Sequence, residues 1–396
     1  MLNYTLAVSG SIALLFSFLA YLAYFLRVIR SKDATAKFQG ELLDVQSSSS
    51  ELEPVSVIVN TFNEAKVIGR KLANISQLNY PLNKLEVIVI DDASIDGTAD
   101  IAEDKISELK LSGRVIRNNK RIGLNRSLNI AMNEAQHNYV CVTDSDVILE
   151  KDALRNSVKV LSGLKDVGGV TGRIQPIFNG QGVAQSNESA YRSFYHHSML
   201  GETALHSAFP GNGPLIVFNK SVVSATIPVD YGSTDGNIAA NVIKSGYRFV
   251  YVPNAVVLEP VPENMGQQRL QKVRRAKRLI QVFLHNSDIF FNKKYGKFGS
   301  TVFPLKFLLI VVCPILMCVG LVLLVAHVFL FTGLLFQVVS VGFLFLVFGI
   351  SSVWKGFRRW LSSFVFHQLY LVVGLFSSLR KSVFWKTIER KKIAEK

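Results

Sequence analysis

Acidic side chains follow two apolar runs of the chain, where they could hold a metal ion. Asp91 and Asp92 end one run of β-branched residues, and Asp144 and Asp146 end another. Ligands of open α/β sheets bind beyond the carboxyl ends of the strands, so both pairs would reach one edge. Asp144-Ser145-Asp146 alternates as a strand does, so both carboxylates can point to one side, and Mg²⁺ and Mn²⁺ prefer such oxygens. The alternative is that each aspartate only forms a turn or caps a helix.

A third polar group follows the first apolar run, residues 55–59, and consists of Asn60, Thr61, Asn63 and Glu64. That run is not followed by GxGxxG, and the chain has no GxxxxGK[ST], so neither a dinucleotide cofactor nor P-loop chemistry is indicated. His196, His197 and His206 lack the spacing to other ligands that a metal site needs.

Strands and helices alternate around these groups. The pattern predicts strands over 55–59, 86–90, 114–117 and 139–143, and helices over 64–77, 97–109 and 124–134. Runs that are apolar throughout are typical of strands covered on both faces. The alternation therefore predicts an α/β domain with a mostly parallel, Rossmann-like sheet.

The N-terminal segment has the length of a membrane span. Residues 6–26 carry no charge, and a helix of that length is about 30 Å long. Basic residues follow it, at Arg27, Arg30 and Lys32, which is the reverse of a cleaved signal peptide. We therefore expect a retained anchor with its N-terminus outside and the following chain in the cytoplasm.

Apolar runs return near the C-terminus. Residues 307–326 and 328–350 are uncharged, and the pattern predicts a transmembrane hairpin with its turn at His327. Residues 361–379 are long enough to span but have basic clusters at both ends, so a fourth span and an interfacial segment both stay open.

The composition fits a membrane protein with a cytoplasmic domain. The 396 residues are 49% apolar, which argues against disorder, and carry a net charge of +15; three cysteines exclude a secreted disulfide scaffold. We expect the following division: an anchor (1–32), a linker (33–53), a catalytic domain (54–264), a basic amphipathic segment (265–300), the hairpin (301–350), and an interfacial or fourth membrane segment with a basic tail (351–396).

Three motifs in order resemble those of the family 2 glycosyltransferases. They are Val55-Ser-Val-Ile-Val-Asn-Thr-Phe-Asn-Glu64, Val89-Ile-Asp-Asp-Ala-Ser-Ile-Asp-Gly-Thr98 and Thr143-Asp-Ser-Asp146. The resemblance covers about residues 54–280 and implies inverting enzymes of GT-A fold. The flanking membrane segments are similar to those of the integral-membrane branch, which includes the hyaluronan, chitin and cellulose synthases.

The resemblance implies a role for each polar group. Asp146 and Asp144 would hold Mg²⁺ or Mn²⁺ against the diphosphate of a nucleotide-sugar donor, which stabilises the leaving group. The donor itself would be bound by Thr61, Phe62, Asn63, Glu64, Asp91, Asp92, Asp144, Gln271, Arg274 and Arg275. Arg275 stands where the family has Trp, which speaks against a processive synthase.

Two further segments would serve the acceptor. Gly211, Asn212 and Gly213 lie in a Gly-rich segment that resembles the family's acceptor lining, or simply form a turn before a strand. Ser233-Thr234-Asp235 is similar to the family's Thr-Glu-Asp motif, so Asp235 would be the base that takes the proton of an acceptor hydroxyl. Alternatively, Asp235 only stabilises a helix N-terminus.

These expectations describe a membrane-embedded inverting glycosyltransferase that uses a nucleotide-diphosphate sugar at the cytoplasmic face. Its acceptor would be a hydroxyl of a glycan or glycolipid, and its membrane segments would contact the lipid bilayer. A polyprenyl-phosphate transferase is the alternative within enzymes, and an inactive membrane scaffold or nucleotide-sugar sensor is the alternative outside them. Nucleic acid is disfavoured because the basic run 269–278 lacks interleaved aromatic residues and precedes the membrane hairpin.

Overall fold

The computed structural model describes residues 2–30, 32–47, 51–178, 183–222, 226–260, 265–334, 336–340, 342, 349 and 354–378. Its centre is a sheet of eight strands: β1 Val55–Thr61, β2 Leu85–Asp91, β3 Gly113–Arg117, β4 Tyr139–Asp144, β5 Ile148–Leu149, β6 Val167–Ile177, β7 Ile216–Asn219 and β8 Arg248–Pro260. The basic tail that follows residue 378 lies outside the described residues.

The sheet is mixed and mostly parallel, with the strand order β3-β2-β1-β4-β7-β6-β8-β5. β1 pairs in parallel with both β2 and β4, and β2 with β3. The short strand β7 runs antiparallel between β4 and β6. The predicted α/β class is therefore confirmed. The order reverses between β1 and β4, the point at which open α/β sheets bind their ligands.

Seven helices flank the sheet in the described residues. They are α2 Lys32–Ser47, α3 Ile68–Ser76, α4 Thr98–Glu108, α5 Leu124–Glu134, α6 Ala153–Gly163, α7 Val183–Leu205 and α8 Thr234–Lys244. One core layer joins the sheet to α3, α4 and α6, and includes Phe38 and Leu42 of α2. The other joins it to α5, α8 and the C-terminal helices. The sheet is thus covered on both faces, as its apolar strands predict.

Residues 33–47, expected to be part of a linker, form the helix α2 instead. Phe38 and Leu42, one turn apart, are almost fully buried. The apolar residues of this segment are few but share one face, so they fix a helix on the domain although its mean composition is polar.

Among the described residues, three helices are long and apolar enough to cross a membrane: Tyr4–Ile29, Phe298–Phe331 and Gly356–Ser378. The first consists of α1 Leu2–Tyr24 and a π-helical turn, Phe25–Ile29. The second is α10 Phe298–Phe331, which contains π turns at Phe298–Val302 and Leu308–Val312. The third lies within α11 Lys355–Ser378. A further helix, α9 Met265–His285, precedes α10.

The turn predicted at His327 is wrong, because α10 continues to Phe331 and the chain turns at Thr332 and Gly333. A histidine does not end an otherwise apolar helix, whereas Thr332 leaves the helical conformation with φ −110° and ψ 153°. α10 also begins within the domain, since Phe298, Val302 and Phe303 are fully buried in its core. Of the predicted second span, 328–350, residues 335, 341, 343–348 and 350 lie outside the described residues.

One buried polar cluster, Tyr24-Glu202-Lys306, joins the domain to both of these helices. Glu202 of α7 is fully buried, and the Lys306 ammonium of α10 lies 2.5 Å from its carboxylate. The Tyr24 hydroxyl of α1 and the Phe209 N–H, 3.0 Å away, also donate to Glu202. A charge this deeply buried persists only when it is paired and hydrogen-bonded. The cluster therefore fixes α1 and α10 against the domain.

Candidate active site

The carboxyl ends of β1, β2 and β4 bring the three predicted polar groups to one edge of the sheet. Thr61 is opposite Asp91, and Asn60 is opposite Asp144 in the strand register. Neighbouring strands lie about 4.8 Å apart. The expectation that separate strands deliver their polar residues to one edge is confirmed, and this edge is the switch point of the sheet.

Asp91 is 3% exposed and holds its own loop in place. It accepts hydrogen bonds from the Thr61 hydroxyl at 3.2 Å and from Ser94, through the backbone N–H at 2.9 Å and the hydroxyl. The carboxylate therefore fixes the turn that follows β2, next to the end of β1.

Asp92 is 6% exposed and connects β2 to the segment before α5. Its carboxylate accepts from Ile122 N–H at 2.8 Å, Gly123 N–H at 2.9 Å, the Asn118 amide at 3.1 Å and the Ser127 hydroxyl at 3.3 Å. Four donors use most of its acceptor capacity. Asp92 thus shapes the donor side of the edge rather than presenting free oxygens to it.

The loop after β1 presents an aromatic face. The Arg121 guanidinium lies over the Phe62 ring, 3.8 Å from its centroid. Asn63 adopts a left-handed φ of 56° and accepts from Ile95 N–H at 3.0 Å, while Glu64 N–H donates to Thr98 at 2.8 Å. These bonds connect the loop to the one after β2. Arg121 is a site residue that the motifs did not indicate.

The turn that carries Asp144 and Asp146 rests on a buried lysine that sequence reasoning missed. Lys71 of α3 is 1% exposed, and its ammonium donates to Thr143 Oγ1 at 2.8 Å and to the Val147 carbonyl at 3.2 Å. Burial lowers the pKa of Lys71 to about 7, against the opposing effect of the Cys141 thiol and the Asp144 carboxylate. One signal was present: Ile68, Lys71, Leu72 and Ile75 are the buried stripe of α3, at helical spacing.

The donor set around this turn fits a metal ion that is completed by its substrate. The described residues contain no group of three or more His, Cys, Asp or Glu side chains placed to hold a metal alone. Mg²⁺ and Mn²⁺ are commonly held by one or two carboxylates plus phosphate and water, which matches Asp144 and Asp146. In register with Asp144, the Asn60 amide oxygen is buried and has no hydrogen-bond partner within the described parts of the chain. A metal-bound water or a donor hydroxyl would satisfy it.

The Gly-rich segment is anchored to β6. Asn212 is 5% exposed; its backbone N–H donates to Thr171 at 2.7 Å, and its side-chain amide donates to the Gly172 carbonyl at 2.6 Å. A side chain at Gly211 would meet the Phe249 ring at 3.1 Å, whereas one at Gly213 would meet open space. The structure therefore makes Asn212 a support of the segment and leaves Gly213 as its accessible position.

Asp235 lies in the first turn of α8, where Ser233 is the N-cap and accepts from Gly236 N–H at 3.2 Å. Burial raises the pKa of Asp235, and hydrogen bonds from Ser233 and Gly236 and the charge of Arg275 oppose this rise. A carboxyl with a raised pKa is a stronger base when ionised, as general base catalysis requires. The predicted base thus has a suitable environment.

Helix α9 brings two arginines to the edge. Burial lowers the pKa of Arg274, and the negative charge of Asp144 opposes that shift. Burial lowers the pKa of Arg278 to about 10, while the charge of Asp235 raises it. Residues four apart share one face of a helix, about 6 Å from each other. The two arginines are thus close enough to feel the charges of Asp144 and Asp235, and the motifs did not indicate Arg278.

Arg275 joins an ionic cluster, Glu188-Arg192-Glu259-Lys272-Arg275, in which its own side chain is 43% exposed. Its guanidinium lies 2.7 Å from Glu259, which Arg192 also contacts at 2.7 Å. Arg192 and Lys272 contact Glu188 at 2.8 and 3.1 Å. Gln271 is 5% exposed on the same helix. Arg275 therefore acts on the site through charge, not through a contact that the structure shows.

A model of the family "Glycosyl transferase family 2" matches residues 56–224. Poly-beta-1,6-N-acetyl-D-glucosamine synthase of Staphylococcus aureus (strain COL) is 30% identical over 256 residues, which cover 63% of this chain and 59% of that protein. The synthase of the same name from Staphylococcus epidermidis is 27% identical over 257 residues, 61% of this chain and 58% of that one. The chain thus spans less than two thirds of the length of these relatives.

A solved structure with the same fold is the mannosyltransferase PcManGT of Pyrobaculum calidifontis, in complex with GDP-Man and Mn²⁺. It superposes with a TM-score of 0.69 at 24% identity, covering 93% of this chain and 99% of that one. The predicted resemblance to this family is confirmed for residues 56–224, and the predicted GT-A fold is confirmed.

Proposed function

We propose that this chain, whose residues 56–224 match the model of the family "Glycosyl transferase family 2", is an inverting glycosyltransferase that acts at the cytoplasmic face of a membrane. The donor would be a nucleotide-diphosphate sugar, and the acceptor a hydroxyl of a glycan or glycolipid. The observation that carries this proposal is the convergence of the polar ends of β1, β2 and β4 at one edge of the sheet. Against the lowering effect of burial, the charges of Asp144 and Asp235 act to raise the pKa of Arg274 and of Arg278, which lie four residues apart on α9, so we infer that both aspartates lie near one face of that helix.

The donor side of the site would bind the nucleotide. Its base would lie against the Phe62–Arg121 pair, and Asp91 and Asp92 hold the two loops that frame it. Asp144 and Asp146 would hold Mg²⁺ or Mn²⁺, which when bound neutralises charge on the departing diphosphate. Arg274 would add a donor from α9 to the same phosphates. The Mn²⁺ and GDP-Man of PcManGT support a divalent ion and a nucleotide sugar.

The acceptor side would supply the nucleophile. Asp235 would take the proton of the acceptor hydroxyl as the oxygen attacks the anomeric carbon from the face opposite the diphosphate, which inverts the configuration. Arg278 would stabilise the ionised form of Asp235 before the transfer. Gly213 leaves room for the acceptor at the edge. The staphylococcal synthases make N-acetylglucosamine a sugar to test first.

The membrane helices support the location. Arg27 lies in the last turn of the first candidate span and Arg30 directly follows it, while the basic helix α9 precedes the second, so both spans have basic residues on the side of the domain. Such a bias supports a cytoplasmic location of that side. The acceptor could then be held by the bilayer beside the site.

The decisive experiment follows nucleotide release and product formation with a panel of UDP- and GDP-linked sugars, with membranes, and with Mn²⁺, Mg²⁺ or EDTA. Asp235→Asn should abolish transfer to a hydroxyl while donor binding persists. Asp230→Asn is the matched control, because Asp230 is an exposed aspartate shortly before α8. It should remain active.

Two outcomes would replace the proposal. Full turnover of Asp235→Asn on polyprenyl phosphate would favour the phosphate acceptor, which is already ionised and needs no base. Absence of metal-dependent hydrolysis or transfer across the whole donor panel would favour a scaffold or sensor.

A further inference from the structure

Lys71 is a cation placed inside an apolar layer. It belongs to the buried stripe of α3 and is 1% exposed. Removing an ammonium group from water costs several kcal/mol unless polar partners replace the water. Its position under the sheet edge therefore needs an explanation beyond packing.

The partners of Lys71 bracket the metal-binding turn. Thr143 immediately precedes Asp144, and Val147 immediately follows Asp146; the ammonium binds Oγ1 of the first at 2.8 Å and the carbonyl of the second at 3.2 Å. One side chain thus closes the turn from beneath. One helical turn further along α3, Asn74 exchanges two hydrogen bonds with the backbone of Leu149, at 2.9 and 2.8 Å.

The same contact reaches the acceptor side. Because Thr143 Oγ1 accepts from Lys71, its own hydrogen is free to donate, and it donates to the Pro214 carbonyl at 2.8 Å. Pro214 ends the Gly-rich segment that contains Gly213. Strand alternation puts Thr143 on the α3 face of the sheet and Asp144 on the α9 face. The contacts from Lys71 to Thr143 and on to Pro214 therefore lie directly behind the proposed metal site.

We propose that Lys71 is a positioning residue which holds Asp144 and Asp146 in the geometry that binds the divalent ion, and which couples that turn to the Gly-rich segment. This inference rests on the metal role given to these aspartates in the proposed function. Groups behind a metal ligand typically change metal affinity ten- to a hundredfold when they are removed. Lys71 touches no substrate and acts only through the turn.

Binding of Mn²⁺ to the full-length protein in detergent tests the inference, with UDP or GDP present to complete the ligand set and with protein-bound Mn²⁺ followed by electron paramagnetic resonance. Lys71→Met keeps the length of the side chain and removes its donors; it should weaken Mn²⁺ binding about tenfold or more. Lys159→Met is the matched control. Lys159 is also a buried lysine bound to a backbone carbonyl, that of Gln46 at 2.8 Å, but it lies on α6 away from the turn.

A merely structural role would lower the melting temperature of both lysine variants and leave Mn²⁺ affinity unchanged. The inference is therefore overturned if Lys71→Met binds Mn²⁺ within twofold of the wild-type affinity. It is also overturned if Lys159→Met weakens Mn²⁺ binding as much as Lys71→Met does. If Lys71→Met does not fold, Thr143→Val carries the test: it removes the shared hydroxyl, and it should weaken Mn²⁺ binding several-fold. Unchanged Mn²⁺ binding by a folded Thr143→Val variant would then overturn the inference.

Asp146→Asn separates this inference from the proposed function. If wild-type protein binds Mn²⁺ and Asp146→Asn does not, the metal site stands, and the lysine variants decide the role of Lys71. If Asp146→Asn binds Mn²⁺ as wild type does, the metal site itself is wrong.

Discussion

The ion pair between Glu202 and Lys306 should dominate the stability of the junction between domain and membrane helices. Both side chains are buried, at 0% and 5% exposure, and their charged atoms lie 2.5 Å apart. Removing one partner of such a pair costs about 3–5 kcal/mol, because the other charge stays buried without compensation. Single substitutions here should therefore cost more than substitutions at exposed charges.

The contacts rank the two single variants. In Lys306→Met, Glu202 keeps the Tyr24 hydroxyl and the Phe209 N–H as donors, so the loss should be near the lower value, about 3 kcal/mol. In Glu202→Gln, the Lys306 ammonium keeps the Tyr195 ring at 5.4 Å but loses its counter-charge, so the loss should be near the upper value, about 5 kcal/mol. At roughly 1–2 °C for each kcal/mol in a chain of this length, these losses correspond to roughly 3–6 °C and 5–10 °C.

Thermal unfolding of the purified protein in detergent, followed by intrinsic fluorescence, measures these shifts. The double variant Glu202→Gln/Lys306→Met should melt above Glu202→Gln alone, because it no longer buries an uncompensated charge. Lys294→Met, at an exposed lysine, is the control and should melt within about 2 °C of wild type. The reasoning is refuted if the single variants melt at the temperature of this control. It is also refuted if the double variant loses as much stability as the two single variants lose together.

Three further predictions concern the site and the helix packing. Arg275→Gln removes a positive charge that lowers the pKa of Asp235, so the acidic limb of the kcat/KM profile should move to higher pH; an unmoved limb would speak against Asp235 as the base. Asp92→Asn places an amide group against backbone N–H donors, so the free energy of unfolding measured by chemical denaturation should fall by about 1–3 kcal/mol. An unchanged free energy of unfolding would contradict this prediction. Gly320→Leu should lower the melting temperature, because a side chain there meets the backbone oxygen of Gly10 at 3.0 Å, and Gly333→Leu, in open space, should not; equal melting of the two variants would exclude close helix packing as the cause.

The elements that form the donor edge could be predicted because local pattern and tertiary position agree there. Each of β1, β2 and β4 is a β-branched or apolar run that ends in polar residues, and parallel pairing then brings those residues together. The short strand β7 was suggested by its sequence, but its antiparallel place between β4 and β6 was not, because that place depends on partners far apart in the chain.

The residues that support the site could not be predicted from their motifs. Lys71 and Glu202 are charged residues whose burial depends on elements distant in sequence, and Arg278 is one of several basic residues in a run. Only the helical spacing of Lys71 within an apolar stripe carried a signal. Burial of a charge is decided by which elements meet, and a single sequence read element by element does not contain that information.

Arg275 shows how a departure from a family motif can be consistent with function. The family resemblance implies Trp at this position, and Arg in its place speaks against a processive synthase. The Arg275 side chain is 43% exposed, and its guanidinium lies against the buried carboxylate of Glu259. The carboxylates of Glu259 and Glu188 balance the charges of Arg275, Arg192 and Lys272. Burial acts to raise the pKa of Glu188, but these three cations lower it to about 2.

The ionic cluster therefore gives Arg275 a defined environment, and its charge reaches the proposed base. Since a positive charge near Asp235 keeps more of that carboxylate ionised at neutral pH, the substitution maintains a base rather than removing one. What the Trp-to-Arg change takes away is an aromatic surface at the acceptor end, where a growing sugar chain would pack. We therefore expect the enzyme to transfer single sugars, and product analysis that found long polymers would contradict this expectation.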